Sequence, residues 1–151
     1  MEEQQTLLIS MNEYMKSGIH IGTKYRTSYM ENFIYKIRKD RLAILNIAKT
    51  DERLKIALSM MLRHSPEEIL VVCRRENGWD AVSSFSRYTG IKSITKYKPG
   101  TMTNIELDDF IEPKILIAVD SHVDSNAVRD AFRIGIPIIA LCDSNNTANF
   151  I

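Results

Sequence analysis

The stretch from Lys114 to Asp143, KILIAVDSHVDSNAVRDAFRIGIPIIALCD, constrains the fold more than any other part of the sequence. Ile115 to Val119 is a short, unbroken apolar run rich in β-branched residues, the pattern of a strand buried on both faces. Asp120 ends it. Asp124 or Ser125 is placed to cap a helix whose apolar positions Val128, Ala131 and Phe132 fall on one stripe. Gly135 suits the left-handed position after that helix, and Pro137 stops its continuation. Ile138 to Leu141 then reads as a second buried strand, closed by Asp143. Strand, helix and strand make a βαβ unit with a right-handed crossover. One such unit leaves a sheet face and both edges open, so the remaining chain must supply more strands and helices.

The chain has 151 residues, enough for one domain with a real core. No apolar run approaches the roughly 20 residues that span a bilayer, and the first residues, MEEQQ, are acidic where a signal peptide is basic. Cys73 and Cys142 form no CxxC pair, which fits reduced thiols in a cytosolic protein. Net charge is only +1, which taken alone argues against a polyanionic partner. The distribution argues the other way. From Lys16 to Lys49 there are eight Lys or Arg residues against two acids, Glu31 and Asp40. Lys92, Lys96 and Lys98 form a second basic stretch, while acids gather at Glu106, Asp108, Asp109 and Glu112. Local potential, not net charge, governs binding to a polyanion.

In chain order, Ser10-Met11-Asn12-Glu13 fits a capping box, with a short helix through Lys16 and Gly18 as its stop. GIHIGTKYRTSYM follows, without a clear period. It reads as a loop in which Lys24 and Arg26 suit phosphates and Tyr25 and Tyr29 offer stacking faces. Phe33 to Ile37 and Leu42 to Ile47 predict a hairpin whose tip crowds Lys36, Arg38, Lys39 and Arg41. Thr50 is placed to cap the next helix, with Asp51 and Glu52 in its first turn and Leu54, Ala57, Leu58, Met61 and Leu62 as its apolar stripe; His64 is a helix-end residue. Strands at 69–73 and 91–95 flank a helix from about Trp79 to Tyr88, stopped by Gly90. A turn-rich segment, Pro99-Gly100-Thr101-Met102-Thr103-Asn104, precedes the stretch described first. Four buried strands alternating with helices imply a doubly wound α/β fold, whose functional crevices lie at the carboxyl ends of the strands. Those ends carry Arg74-Arg75, Asp120 and Asp143.

Catalytic and cofactor signatures are missing from the sequence. There is no GxGxxG, no P-loop and no nucleophile elbow, and His20, His64 and His122 are too dispersed for a metal site, so no cofactor and no metal are expected. Asp120 sits where a phosphoacceptor would, but that chemistry needs further carboxylates near the first strand's end to hold Mg²⁺. The end of that strand is Cys73-Arg74-Arg75, wrong for a cation, so Asp120 is read as a helix-capping or loop-bracing residue.

Several segments together, GIHIGT, MENFIYKIRKDRLAILNIAKTDERL, PGTMTN and IEPKILIAVDSHVDSNAVRDAFRIGIPIIALCDSNN, resemble the universal small-subunit ribosomal protein S-two family in its archaeal or eukaryotic form. The likeness runs in order from about Ser10 to the last residue. Bacterial members carry a helical insertion after the GTMTN-like motif, for which Asn104 to Lys114 leaves no room. The resemblance implies a non-enzymatic, flavodoxin-like three-layer α/β fold with its sheet ordered second, first, third, fourth strand, plus an N-terminal helix and a hairpin outside the sheet. It further implies a cytoplasmic structural component of the small subunit on the solvent side where head meets body. The implied partners are ribosomal RNA and neighbouring ribosomal proteins, with no membrane and no DNA. Carried over by motif, RNA contact falls on His20, Thr23, Lys24 and Arg26, with the hairpin cations Lys36, Arg38, Lys39 and Arg41 beside them. Lys98, Thr101, Thr103 and Asn104 of the PGTMTN turn are further candidates. The family pattern continues past CDSNN with a fifth strand and a helix, whereas this chain ends at Ile151, so an incomplete chain is expected. The domain reading is a single α/β domain over 1–151, with 1–49 as helix, basic loop and hairpin and 50–151 as the parallel-sheet core.

Two other functions compete. One is a phosphoacceptor or small-ligand domain using the crevice near Asp120 and Asp143. The other is a protein-interaction module, suggested by the near-neutral charge and the acidic segment Glu106 to Glu112.

Overall fold

The computed structural model describes residues 7–151; the acidic MEEQQ segment lies outside them. The chain forms two compact units, one of residues up to Ser59 together with Asp143–Thr147, the other of Met60–Cys142 with Ala148–Ile151.

The second unit is built on a parallel sheet. Its strands are β3 (Ile69–Val72), β4 (Lys92–Ile94), β5 (Ile115–Ala118) and β6 (Ile138–Ala140), in spatial order β4-β3-β5-β6. This is the order second, first, third, fourth expected from the resemblance. Ile69 pairs with Ile115, and Leu116 with Ile138, so the two central strands are buried along their whole length. Because side chains alternate across a strand, the continuous apolar runs feed two cores. Ile69, Val71, Cys73, Ile115 and Ile117 face one way, against Val82 and Trp79 of helix α3 (Trp79–Thr89) and against Met60 and Met61. Leu70, Val72 and Leu116 face the other way, against Ala127 and Ala131 of helix α4 (Ser125–Ile134) and against Tyr97 and Met102. Gly90 and Gly135 end α3 and α4 at φ 75° and 76°, where an L side chain is strained. Both helices therefore pass into the following strand through the same left-handed glycine joint.

Two local expectations fail here. Phe132 is not in the core: it is 55% exposed and lies against Phe150, ring centroids 4.5 Å apart. Asp124 occupies the position before α4 but its carboxylate makes no cap bond to that helix. It is turned instead toward the backbone amides of Arg74 and Asp120. The regular strands end just before Cys73, Val119 and Leu141, yet the amides of these three residues still donate to Ile94 O, Val72 O and Ala118 O at 3.0 Å, so the apolar runs mark the extent of pairing.

Buried Asp130 on α4 fixes the PGTMTN turn. Its Oδ2 accepts from the Tyr97 hydroxyl at 2.8 Å and from the Gly100 amide at 2.9 Å. Burial, and then the Asp130 carboxylate, push the Tyr97 phenol well above its usual range. A raised folded-state pKa contributes stability that is present below the ordinary phenol value of about 10 and lost as pH rises through the folded-state value. Tyr97→Phe is expected to lower stability at pH 7 by roughly 1–2 kcal/mol and to flatten the alkaline limb. Denaturant midpoints from pH 7 to 11 test both.

In the first unit, helix α1 (Met11–Ser17) starts where Ser10 accepts from the Glu13 amide and ends at Gly18 in the left-handed region. The buried Tyr14 hydroxyl donates to Asp51 Oδ1 at 2.8 Å, and Asp51 also accepts from Leu8 N and Lys55 Nζ. Asp51 belongs to helix α2 (Ile47–Met61), so α1 is pinned to α2 by a buried carboxylate. The cap of α2 is Asn46, whose Oδ1 accepts from the Ala48 and Lys49 amides, not Thr50, whose hydroxyl donates to the Asn46 carbonyl. Asn46 N still donates to Phe33 O at 2.8 Å, so the residue that closes the hairpin ladder also caps the helix. The hairpin is β1 (Ile34–Ile37) and β2 (Ala43–Leu45), antiparallel and separate from the parallel sheet, and Phe33 closes a 3₁₀ turn before it. With the start of α2 moved, its first turn holds Lys49 and no acid. Leu62 lies beyond the helix end and is 85% exposed, and Leu58 is also exposed. Among the described residues no helix is long and apolar enough to cross a membrane.

Candidate nucleic-acid interface

The glycine-rich segment after α1 is not the irregular loop its sequence suggests. Residues 20–23 run antiparallel beside β2: Leu45 N donates to His20 O, Gly22 N to Ala43 O, and Ala43 N to Thr23 O, at 2.8–3.0 Å. Ile21 bridges Ile44 between them. A three-stranded layer results, which places His20, Thr23, Lys24 and Arg26 on the same small framework as the hairpin cations.

Ser144 locks this layer. Its fully buried hydroxyl accepts from Thr23 N at 2.9 Å and donates to Tyr25 O at 3.0 Å, while Ser144 O accepts from Thr27 N. Thr27 Oγ1 in turn donates to Asn146 O at 2.7 Å. Gly22 is required by closeness: a Cβ there would lie 3.0 Å from Ser144 Oγ and 3.1 Å from Asp143 Oδ1. Gly22→Ala is expected to lower stability by about 1–2 kcal/mol through this overpacking and to raise hydrogen exchange at Thr23 and Thr27, as measured by amide exchange. A normal exchange pattern would show that the segment closes without Ser144.

The candidate RNA residues divide by what their side chains are free to do. Lys24, Arg26, Lys36, Arg38, Lys39 and Arg41 are all exposed, and of these only Arg38 has an ion-pair partner among the described residues, Asp40 at 3.3 Å. Tyr25 and Tyr35 stand 78% and 70% exposed beside them. Thr23 spends its hydroxyl on Tyr25 O and Ser144 Oγ. His20 is half-buried, and its Nδ1 is enclosed without a partner, so Nε2 is its usable atom.

Arg41 is backbone-strained, at φ 68°. The Arg38-to-Arg41 turn closes with Arg41 N donating to Arg38 O and Arg38 N to Leu42 O. Glycine or asparagine ordinarily holds such a left-handed corner, and an arginine there costs on the order of 1 kcal/mol. Strain held at an exposed cation points toward use of that cation.

The PGTMTN candidates belong to the second unit and behave differently. Thr101 is 3% exposed and donates its hydroxyl to Lys98 O, so it shapes the turn and presents no group to a ligand. Asn104 accepts from Glu106 N, and Lys98 Nζ holds Asp109 at 3.0 Å, which keeps the Asp109 carboxyl below the usual range. Thr103 is exposed.

The crevice at the carboxyl ends of β3 and β5 is self-satisfied. Asp120 is ion-paired with Arg75 and accepts from the His122 and Val123 amides, so of the capping and bracing roles open to it in the sequence it takes the loop-bracing one. Asp124 is taken by two backbone amides, and burial raises its carboxyl above the usual range. Burial likewise raises the Cys73 and Cys142 thiols, both unpaired by disulfide. Among the described residues no cluster of three or more His, Cys, Asp or Glu is placed to hold a metal.

Comparison with known proteins decides the family. The family model described as ribosomal protein S2 matches residues 14–107. A small ribosomal subunit protein uS2 of Nanoarchaeum equitans is 46% identical over 145 residues, covering 95% of this chain and 72% of its own length. One from Picrophilus torridus is 47% identical over 152 residues, covering 100% of this chain and 75% of the relative. Another, from Thermoplasma acidophilum, is 44% identical across 97% of this chain and 74% of the relative. The chain belongs to the ribosomal protein S2 family. Proteins of the ribosomal protein S2 family are structural components and not enzymes, so the phosphoacceptor reading of Asp120 is set aside, in agreement with the bonds that carboxylate already makes.

Sequence reasoning read Tyr29 as a stacking face and counted Lys49 in the basic stretch, but missed the cleft they share. Tyr29, Asn32, Phe33, Lys49, Glu52 and Arg53 line an open cleft in the first unit. The available signal was Lys49 and Arg53 one helical turn apart, hidden when Thr50 is taken as the start of α2.

Proposed function

We propose that this chain is a structural constituent of the small ribosomal subunit that binds ribosomal RNA through the layer formed by residues 20–26 and the β1–β2 hairpin. The observation that carries this reading is the concentration of exposed cations on that layer, five of them without an acidic partner among the described residues. Exposed lysine and arginine held on a framework are what phosphate contacts use, and such contacts fix position without reading sequence. Tyr25 and Tyr35 add stacking faces for unpaired bases. The names of the relatives, small ribosomal subunit protein uS2, supply the particle. The remaining cations and the acidic segment Glu106 to Glu112 suit neighbouring ribosomal proteins, at the solvent side near the head–body junction in the cytoplasmic ribosome.

The test is sedimentation of the tagged protein from a lysate of cells that express it. Co-migration with small subunits, abolished at high salt, is the expected result. Free protein at the top of the gradient at low salt would overturn the reading.

A further inference from the structure

We infer that the cleft lined by Tyr29, Asn32, Phe33, Lys49, Glu52 and Arg53 is a subsite for one unpaired RNA nucleotide whose base bears an exocyclic amine. The inference rests on the RNA-binding reading and names a second kind of contact within the same unit. The cleft encloses about 300 Å³, at the small end of ligand sites. Its positive charge is concentrated at a cost. Lys49 and Arg53 are like charges at i and i+4, and Lys49 occupies the first turn of α2, where the helix dipole favours acids. Both cations are held over the Phe33 ring, at 5.9 and 5.7 Å from its centroid, and Lys49 Nζ also donates to Asn32 O. The aromatic ring and the carbonyl hold the two cations without neutralising them, and with Glu52 in the lining the cleft keeps one net positive charge for a phosphate.

The other wall is suited to a base. Tyr29 lies 6.1 Å from Phe33, tilted by 34°, too close for a base to insert between the rings, and the residue as a whole is 52% exposed. A base therefore stacks on the outer face of Tyr29. Glu52 is the carboxylate of the cleft and accepts hydrogen bonds only, so it favours an exocyclic amine over uracil, whose single N3–H donor lies between two carbonyl oxygens that repel a carboxylate.

The probe is cytidine 5′-monophosphate titrated into the full chain, read by NMR of the aromatic ring protons, with uridine 5′-monophosphate and ribose 5-phosphate as comparisons. Expected are shifts of the Tyr29 ring, a Kd of about 1 mM, and binding at least severalfold tighter than for either comparison. Arg53→Ala should weaken cytidine monophosphate about fivefold to tenfold, and Glu52→Gln should remove the preference over uridine. Backbone amide spectra establish that both variants remain folded. Equal binding of ribose 5-phosphate, absence of binding, or shifts outside the cleft would each overturn the subsite. The single-stranded pentanucleotide of cytidine should bind more tightly than the monophosphate; the reverse order would assign the cleft to a free nucleotide and overturn the RNA assignment. A variant neutralised at the hairpin should still bind the monophosphate. If the monophosphate fails while sedimentation with small subunits succeeds, only this inference falls.

Discussion

Neutralising Lys36, Arg38, Lys39 and Arg41 together with glutamine should reduce the magnitude of the log-log salt slope of RNA binding by about 3, at roughly 0.7–0.9 for each phosphate no longer neutralised. Affinity at low salt falls by orders of magnitude, and the drop is nearly the same for any RNA sequence because phosphate contacts do not read bases. Arg129 and Arg133 on α4 serve as the control pair, since Arg133 lies 3.8 Å from Asp130 and both sit in the second unit. Filter binding across a salt series, with small-subunit incorporation in parallel, measures it. If the Arg129/Arg133 pair matters more, the RNA face is on the wrong unit. Arg41→Gly separates function from folding within the same experiment. It relieves the left-handed strain and should leave stability unchanged or raised by up to about 1 kcal/mol, while binding weakens by the share of a single phosphate.

Asp124→Ala should be the most damaging change at the crevice, for reasons that have nothing to do with catalysis. Asp124 is 3% exposed, and its two carboxylate oxygens accept from Arg74 N at 2.9 Å and Asp120 N at 3.1 Å. Truncation strands two amides at the ends of the two central strands, at about 1–3 kcal/mol each. With ~2–4 °C of Tm per kcal/mol in a chain of this size, the melting temperature should fall by roughly 4–24 °C in a calorimetric scan. Asp120→Asn makes the contrast. The amide oxygen still accepts from His122 N and Val123 N, and only the ion pair with exposed Arg75 is removed, worth about 1 kcal/mol or less. Incorporation into small subunits should therefore be nearly unchanged. An Asp120→Asn protein that folds normally yet fails to incorporate would return the crevice to function.

The parallel core was legible in the sequence because its signals are local and redundant. Ile69–Val72 and Ile115–Ala118 are apolar on both faces, which only a doubly covered strand tolerates, and each helix between strands ends at a glycine that must adopt a positive φ. The hairpin was legible for the same reason, two apolar runs around the polar Arg38-Lys39-Asp40-Arg41 tip. Burial of single side chains was less so. Phe132 and Leu62 satisfy a helical stripe on paper, but exposure depends on which neighbour arrives, and both stay more than half exposed.

What the sequence alone determined about this protein is the kind of each element, the family likeness and the polarised charge of the first third. Tertiary structure decided which polar groups remain free to act. Thr23 and Thr101 carry the right chemistry for RNA, yet their hydroxyls are used by Ser144, Tyr25 and Lys98, some of them distant in sequence. Asp124 has the sequence position of a cap and serves as a brace for another strand end. The cleft around Phe33 exists because Asn46 starts α2 at Ile47, which turns Lys49 and Arg53 onto one ring. Hydrogen-bond partners far apart in the chain leave no periodic trace in it, so a side chain's availability is settled only when the distant partner is in place.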